Sequence, residues 1–82
     1  MTVLAYDHTG NHLVPTPCAV GDQVDWKRNG VRGHYRAEIV AITESKIKLR
    51  LIRYSDRPSL SLDGARPVWA RKIVMRVHPQ AR

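Results

Sequence analysis

The chain of 82 residues has no phenylalanine and a single cysteine. Cys18 has no partner for an internal disulfide, and a lone thiol of this kind points to a reducing compartment. No apolar run approaches the ~18 residues that a membrane span needs. The opening Met1-Thr2-Val3-Leu4-Ala5-Tyr6-Asp7 has neither the basic start nor the apolar stretch of a secretory signal, so the expected location is cytoplasmic. Catalytic signatures are missing as well: there is no Gly-x-Ser-x-Gly elbow, no phosphate-cradling Walker loop and no His-Glu-x-x-His pair. His8 and His12 flank a turn, yet two His do not complete a four-ligand site, and His34, His78 and Cys18 lack ligand-like spacing. No metal, no other cofactor and no catalysis are therefore expected. Acidic residues are scarce, seven against fourteen Lys and Arg, which leaves a net charge of +7.

What is present fits one small folded unit. At 43% hydrophobic and 26% charged residues the composition is that of a globular domain. A chain of this mass buries about three-fifths of its surface, enough for one core but not for a deep catalytic cleft as well.

The charge is unevenly spread. Residues 1–26 carry no Lys or Arg and three acids, Asp7, Asp22 and Asp25. Residues 27–57 hold nine basic residues against Glu38, Glu44 and Asp56, and residues 58–82 add five against Asp63. Arg outnumbers Lys ten to four, and its planar fork of donors suits phosphate and carboxylate. A domain of this charge draws polyanions through long-range attraction and counterion release.

Along the chain, short alternating runs are separated by turn signals. Val3-Leu4-Ala5-Tyr6 and His12-Leu13-Val14 flank Asp7-His8-Thr9-Gly10-Asn11, where Gly10 suits a left-handed position and Asp7 can accept from turn amides. A hairpin is expected, ended by Pro15 and Pro17, which leave an extended connector. Val24 and Trp26 alternate with Asp25 and Lys27 before a break at Asn29-Gly30 and Gly33. His34 to Thr43 is the longest strand expected. Apolar residues occupy both of its faces only in the second half, so it should bend and change the face turned to the core. After a tight turn at Glu44-Ser45, the run Lys46 to Tyr54 sorts Ile47, Leu49 and Leu51 to one side and Lys46, Lys48 and Arg50 to the other. A helix would scatter those cations, whereas a strand aligns them. Residues 55–67 read as loop, with a short edge strand at Ser59-Leu60-Ser61-Leu62 and a turn at Asp63-Gly64. Val68 and Trp69 begin a strand, Ala70-Arg71-Lys72 suit one helical turn, and Ile73 to Val77 close the fold.

These features predict an all-β fold: a small barrel of about five strands at 18–78, with at most one short 3-10 turn. An N-terminal β-hairpin and Pro-containing connector occupy 1–17, packed on the barrel or serving oligomerisation, and 79–82 form a frayed tail. Val20-Gly21-Asp22-Gln23-Val24-Asp25-Trp26 resembles the Gly-Asp-x-Val opening of SH3-like small barrels. Tyr35-Arg36-Ala37-Glu38-Ile39-Val40 is similar to their second strand, and Val68-Trp69-Ala70-Arg71-Lys72-Ile73 to the closing elements of Tudor, Agenet and KOW-type members. The resemblance spans roughly residues 20–77. It rests on strand punctuation and core positions, so it implies the fold more than a function; with the charge, the expected protein is a binding module of bacterial or phage style. The plasmid-encoded dihydrofolate reductases share such a barrel, but their pore-lining Val-Gln-Ile-Tyr segment has no counterpart here; Ile47-Lys48-Leu49-Arg50 stands in that region.

Two kinds of partner are expected from these residues. Nucleic acid, DNA or RNA, would meet Arg36, Lys46, Lys48, Arg50 and Arg53 through its backbone with little sequence preference. Tyr35 and Tyr54 would then stack on bases. The alternative is an acidic protein or peptide held in an aromatic groove built from Trp26, Tyr35, Tyr54 and Trp69, as Tudor-like barrels imply, in a chain that self-associates. In a barrel without phenylalanine, Trp26 and Trp69 are expected to serve the core.

Overall fold

The computed structural model describes residues 1–62 and 64–80, and of residues 58 and 60 the backbone. Nine strands and no helix form among them: β1 (Thr2–Tyr6), β2 (Leu13–Pro17), β3 (Gln23–Trp26), β4 (Tyr35–Ile42), β5 (Lys46–Tyr54), β6 (Arg57–Ser61), β7 (Val68–Arg71), β8 (Ile73–Val74) and β9 (Arg76–His78). They build a three-stranded sheet, β2-β1-β8, and a six-stranded sheet in which β6-β5-β4-β3-β9 are neighbours and β7 pairs with β5 beside β6. Among the described residues the hydrogen-bonded path does not close on itself. A single run, Val68–His78, follows three edges in turn: β7 on β5, β8 parallel to β1, and β9 on β3. Ala70-Arg71-Lys72 is therefore not a helical turn, because Ala70 and Arg71 are paired with Ile47 and Lys46.

The N-terminal hairpin forms with Tyr6 opposite Leu13. Asp7 Oδ1 accepts from the Thr9 amide, the Thr9 hydroxyl and the Asn11 amide, and Gly10 takes φ 76°. Pro15 and Pro17 do not end β2 as expected; they lie within it. The reason is parity. The amide bonds Asp7 to His12 and Cys18 to Met1 place the hydrogen-bonded pairs at odd positions of β1. Leu4↔Pro15 and Thr2↔Pro17 thus fall on the other set, where a residue of β2 points its nitrogen away from β1. β2 is an edge, so neither proline removes a ladder bond. On the other side of β1, Leu4 donates to the Lys72 carbonyl at 2.8 Å, which binds the hairpin into the fold.

The core joins both sheets. Val3 and Ala5 of the hairpin are buried with Cys18, Val24, Ala37, Ile39, Ile47, Leu49, Leu51, Ala70 and Val74. Ile47, Leu49 and Leu51 point inward from β5, as the alternation requires. β4 bends where expected: Val40 is skipped between the pairs Ile39↔Leu49 and Ala41↔Lys48, so Ile39 and Ile42 both reach the core side despite their odd spacing. Aliphatics fill the interior without tryptophan. Trp26 is half-buried and packs against the core, whereas Trp69 is 50% exposed, which corrects the expectation that Trp69 is a core residue. Asp22 is buried; its carboxylate caps the chain at two places, accepting from the Ala19 amide and the Gln80 amide at 2.9 Å each. The tail is held to that point rather than frayed at 79–80, while 81–82, like Asp63 of the expected turn, lie outside the described residues. The expected edge strand near Ser59 is part of β6, on β5.

Candidate nucleic-acid interface

Seen from the core, the far face of β5 carries Lys46, Lys48 and Arg50, because its near face is taken by Ile47, Leu49 and Leu51. The skipped Ile52 then restores the pairing so that Arg53 stands opposite Arg36 on the same outer face and Tyr54 opposite Tyr35 on the inner one. Antiparallel register places acids directly across from two of the basic residues. Asp25 faces Arg36 and Glu38 faces Arg50. Arg36 Nε donates to Asp25 Oδ1 at 2.9 Å and its Nη1 to Gln23 Oε1 at 3.1 Å. Arg50 Nη2 is bonded to Glu38 Oε1. His78 Nε2 meets the other oxygen of Asp25 at 2.9 Å. Burial works against charge on Asp25, but the hydrogen bonds from His78 and Arg36 outweigh it and hold the carboxyl below its ordinary range.

The five cations expected to form one stripe are therefore divided. Arg36 and Arg50 are engaged by carboxylates, whereas Lys46, Lys48 and Arg53 make no ion pair among the described residues. At the Lys46 end, β7 adds what the sequence reading missed. Lys46 pairs with Arg71 and Lys48 with Trp69, so these four side chains form a square on the outer face. The Lys48 ammonium lies 5.6 Å from the centre of the Trp69 ring. Period-two alternation in Val68-Trp69-Ala70-Arg71 carried that signal: Val68 and Ala70 turn inward, and Trp69 goes outward with Arg71.

Tyr35 and Tyr54 do not join Lys46 and Lys48, and they lie on the other face from their neighbours Arg36 and Arg53. They stand at the opposite end of β5, about 26 Å from Lys46 along an extended strand, and belong to the inner face. Trp26, Tyr35 and Tyr54 form a row across β3, β4 and β5 with ring centres 5.9 and 5.0 Å apart. Rings this close pack against one another as a row. Burial and the neighbouring Asp56 push the Tyr54 hydroxyl up from its ordinary value. Trp69, the fourth aromatic of the expected groove, lies apart from this row, on the outer face.

Two further surfaces complete the picture. The outer face of the hairpin is apolar, with Leu4, Tyr6 and Leu13 between 37% and 46% exposed beside Pro15. Between the hairpin turn, the end of β3 and the β7–β8 segment lies an open cavity of about 980 Å³ bordered by Tyr6, Trp26, Lys27, Arg28 and Arg71. Among the described residues, no three His, Cys, Asp or Glu side chains gather as a metal site requires, and no helix is long and apolar enough to cross a membrane. Comparison with protein-family models, curated proteins and solved structures finds no match.

Proposed function

We propose that this chain is a non-catalytic, SH3-like binding module that holds nucleic-acid backbone on the outer face of β5 and β7, with little sequence preference. The observation that carries the reading is the square of Lys46, Lys48, Arg71 and the half-exposed Trp69. Three cations supply phosphate contacts and one indole supplies a stacking surface, the combination that single-stranded nucleic acids favour. Arg53 extends the positive face toward the far end of β5. Kinship with SH3-like barrels is supported by the meander β3-β4-β5 and by a closing run that reaches both of its edges. A lone buried thiol suits work in the cytoplasm.

The test is fluorescence anisotropy with labelled DNA and RNA oligonucleotides. Lys46→Glu with Lys48→Glu, and separately Trp69→Ala, should weaken binding more than tenfold while the urea midpoint stays in place. Arg50→Glu is a poorer probe, because it would set two carboxylates against each other across β4 and β5. Binding that is absent at low salt, or indifferent to these changes, overturns the reading.

The hairpin supports a second reading, protein association through a second copy. Its apolar outer face lies in the segment without Lys or Arg, so two copies can meet there with little repulsion despite their net charge of +7. Pro15 and Pro17 block strand addition at the β2 edge, so contact would be face to face. Light scattering at two concentrations decides: a rising mass that Leu4→Lys with Leu13→Lys abolishes supports it, and a constant monomer mass removes it.

A further inference from the structure

We infer that the cavity between the hairpin turn and the end of β3 receives an unpaired base of a single strand, making this module selective for single-stranded over duplex nucleic acid. The inference rests on the proposed function and locates the part of the strand that the outer square leaves unplaced.

Three observations lead to it. First, size: about 980 Å³ lies at the upper end of the ~300–1,000 Å³ range of small-ligand sites. Second, chemistry: the walls bring Trp26 and Tyr6 together with Lys27, Arg28 and Arg71, and Asn29 adds an amide able to donate and accept. Flat apolar surface ringed by cations matches a planar base carried on a phosphate. Asp7 also borders the cavity, but its Oδ1 is turned to its own loop, where it accepts three hydrogen bonds. Third, continuity: Arg71 is both the cross-strand neighbour of Lys46 and a wall of the cavity. A backbone lying along Lys48 and Lys46 therefore reaches the cavity mouth without crossing an acidic side chain of β5 or β7. A duplex keeps its bases stacked inside and offers the cavity nothing; a single strand can turn one out.

The two tryptophans allow a direct test. In Trp69→Phe, Trp26 is the sole indole, and an oligothymidylate of about twelve nucleotides should quench its emission with the same midpoint that anisotropy gives for binding. Tyr6→Ala changes no charge at a 46% exposed position and should weaken binding of that oligonucleotide by about fivefold or more, the range for loss of one stacked base. Duplex of equal length should lose less than twofold. Binding with unchanged Trp26 emission, and equal effects of Tyr6→Ala on single strand and duplex, overturns the cavity assignment and leaves the outer-face reading intact. If oligonucleotides fail to bind at all at low salt, both fall. If an oligoglutamate peptide quenches Trp26 and oligothymidylate does not, the occupant is an acidic peptide and the assignment is wrong.

Discussion

Under the proposed function, salt dependence measures how many outer-face cations touch phosphate, and the geometry of β5 and β7 supplies the number to expect. On β5 and β7, Lys46, Lys48, Arg53 and Arg71 are the outer-face cations outside the two carboxylate pairs, and Arg76 stands beyond them on β9, opposite Asp25. Single-stranded nucleic acid loses affinity with a log–log slope of about −0.7 for each phosphate contact. Four contacts give a slope of about −2.8, so a rise from about 50 to about 200 mM salt costs about 50-fold in affinity. Were Arg36 and Arg50 to leave Asp25 and Glu38 and join, six contacts would give about −4.2 and a loss of about 340-fold. The smaller figure is expected, because each released carboxylate would lose a charge-assisted bond already made in the free protein. Lys46→Ala with Lys48→Ala should flatten the slope to about −1.4, a loss of about sevenfold over the same range. Anisotropy titrations at four or five salt concentrations give both slopes. A wild-type slope steeper than −4 that Lys27→Ala with Arg28→Ala leaves unchanged, or a double variant whose slope equals the wild type, refutes the division of the cations.

Other consequences concern the frame that holds this face. Leu49→Ala removes a fully buried side chain where β4, β5 and β7 meet, and should cost about 2–5 kcal/mol in urea unfolding. Asp25 is held below its ordinary value of 3.8, so the unfolded chain binds its proton first as pH falls. The stabilisation is complete above that value and lost as pH drops through the lower folded value; Asp25→Asn should flatten the acid limb of the stability–pH curve, and an unchanged limb would contradict the pairing. Gly33 has φ 79°, and an added Cβ would meet Ser55 Oγ at 2.7 Å, where that oxygen accepts from the His34 amide. Gly33→Ala should therefore destabilise by about 1–2 kcal/mol or more, read as a lower urea midpoint. Cys18 is buried, and burial pushes its thiol up, so a thiol reagent should react slowly with the native protein and fast in urea.

Local pattern was enough for the elements whose faces differ in chemistry. In β5 the alternation of aliphatic and basic residues leaves one arrangement that buries Ile47, Leu49 and Leu51, and the structure adopts it. The bend in β4 was legible because its apolar residues change parity, which a strand can satisfy only by skipping a residue. Features that depend on distant pairing were not legible. Pro15 and Pro17 look like terminators until the hydrogen-bond parity with β1 is known. The parallel contact of β8 with β1 joins residues nearly seventy positions apart, with no local signal. Trp69 illustrates the same limit: size argued for the core, but its place on β7 beside the outer face of β5 decided for solvent.

The site followed the same logic one level up. Composition revealed an excess of cations but could not say which were already engaged, since that depends on register. Asp25↔Arg36 and Glu38↔Arg50 are cross-strand neighbours only because β3, β4 and β5 align as they do. Slipping either pairing by one residue would set apolar side chains of one strand against the outer face of the next, so burial of Val24, Ala37 and Leu51 enforces the alignment. The hydrophobic core thereby selects which arginines are neutralised. Arg36 and Arg50 serve to hold the sheet, and on its β7 side Lys46, Lys48 and Arg71 surround Trp69 outside those pairs, with Arg53 at the far end of β5. A substitution that shifted the β4–β5 register would thus alter binding without touching any residue of that square, and core variants should be read for salt slope as well as stability.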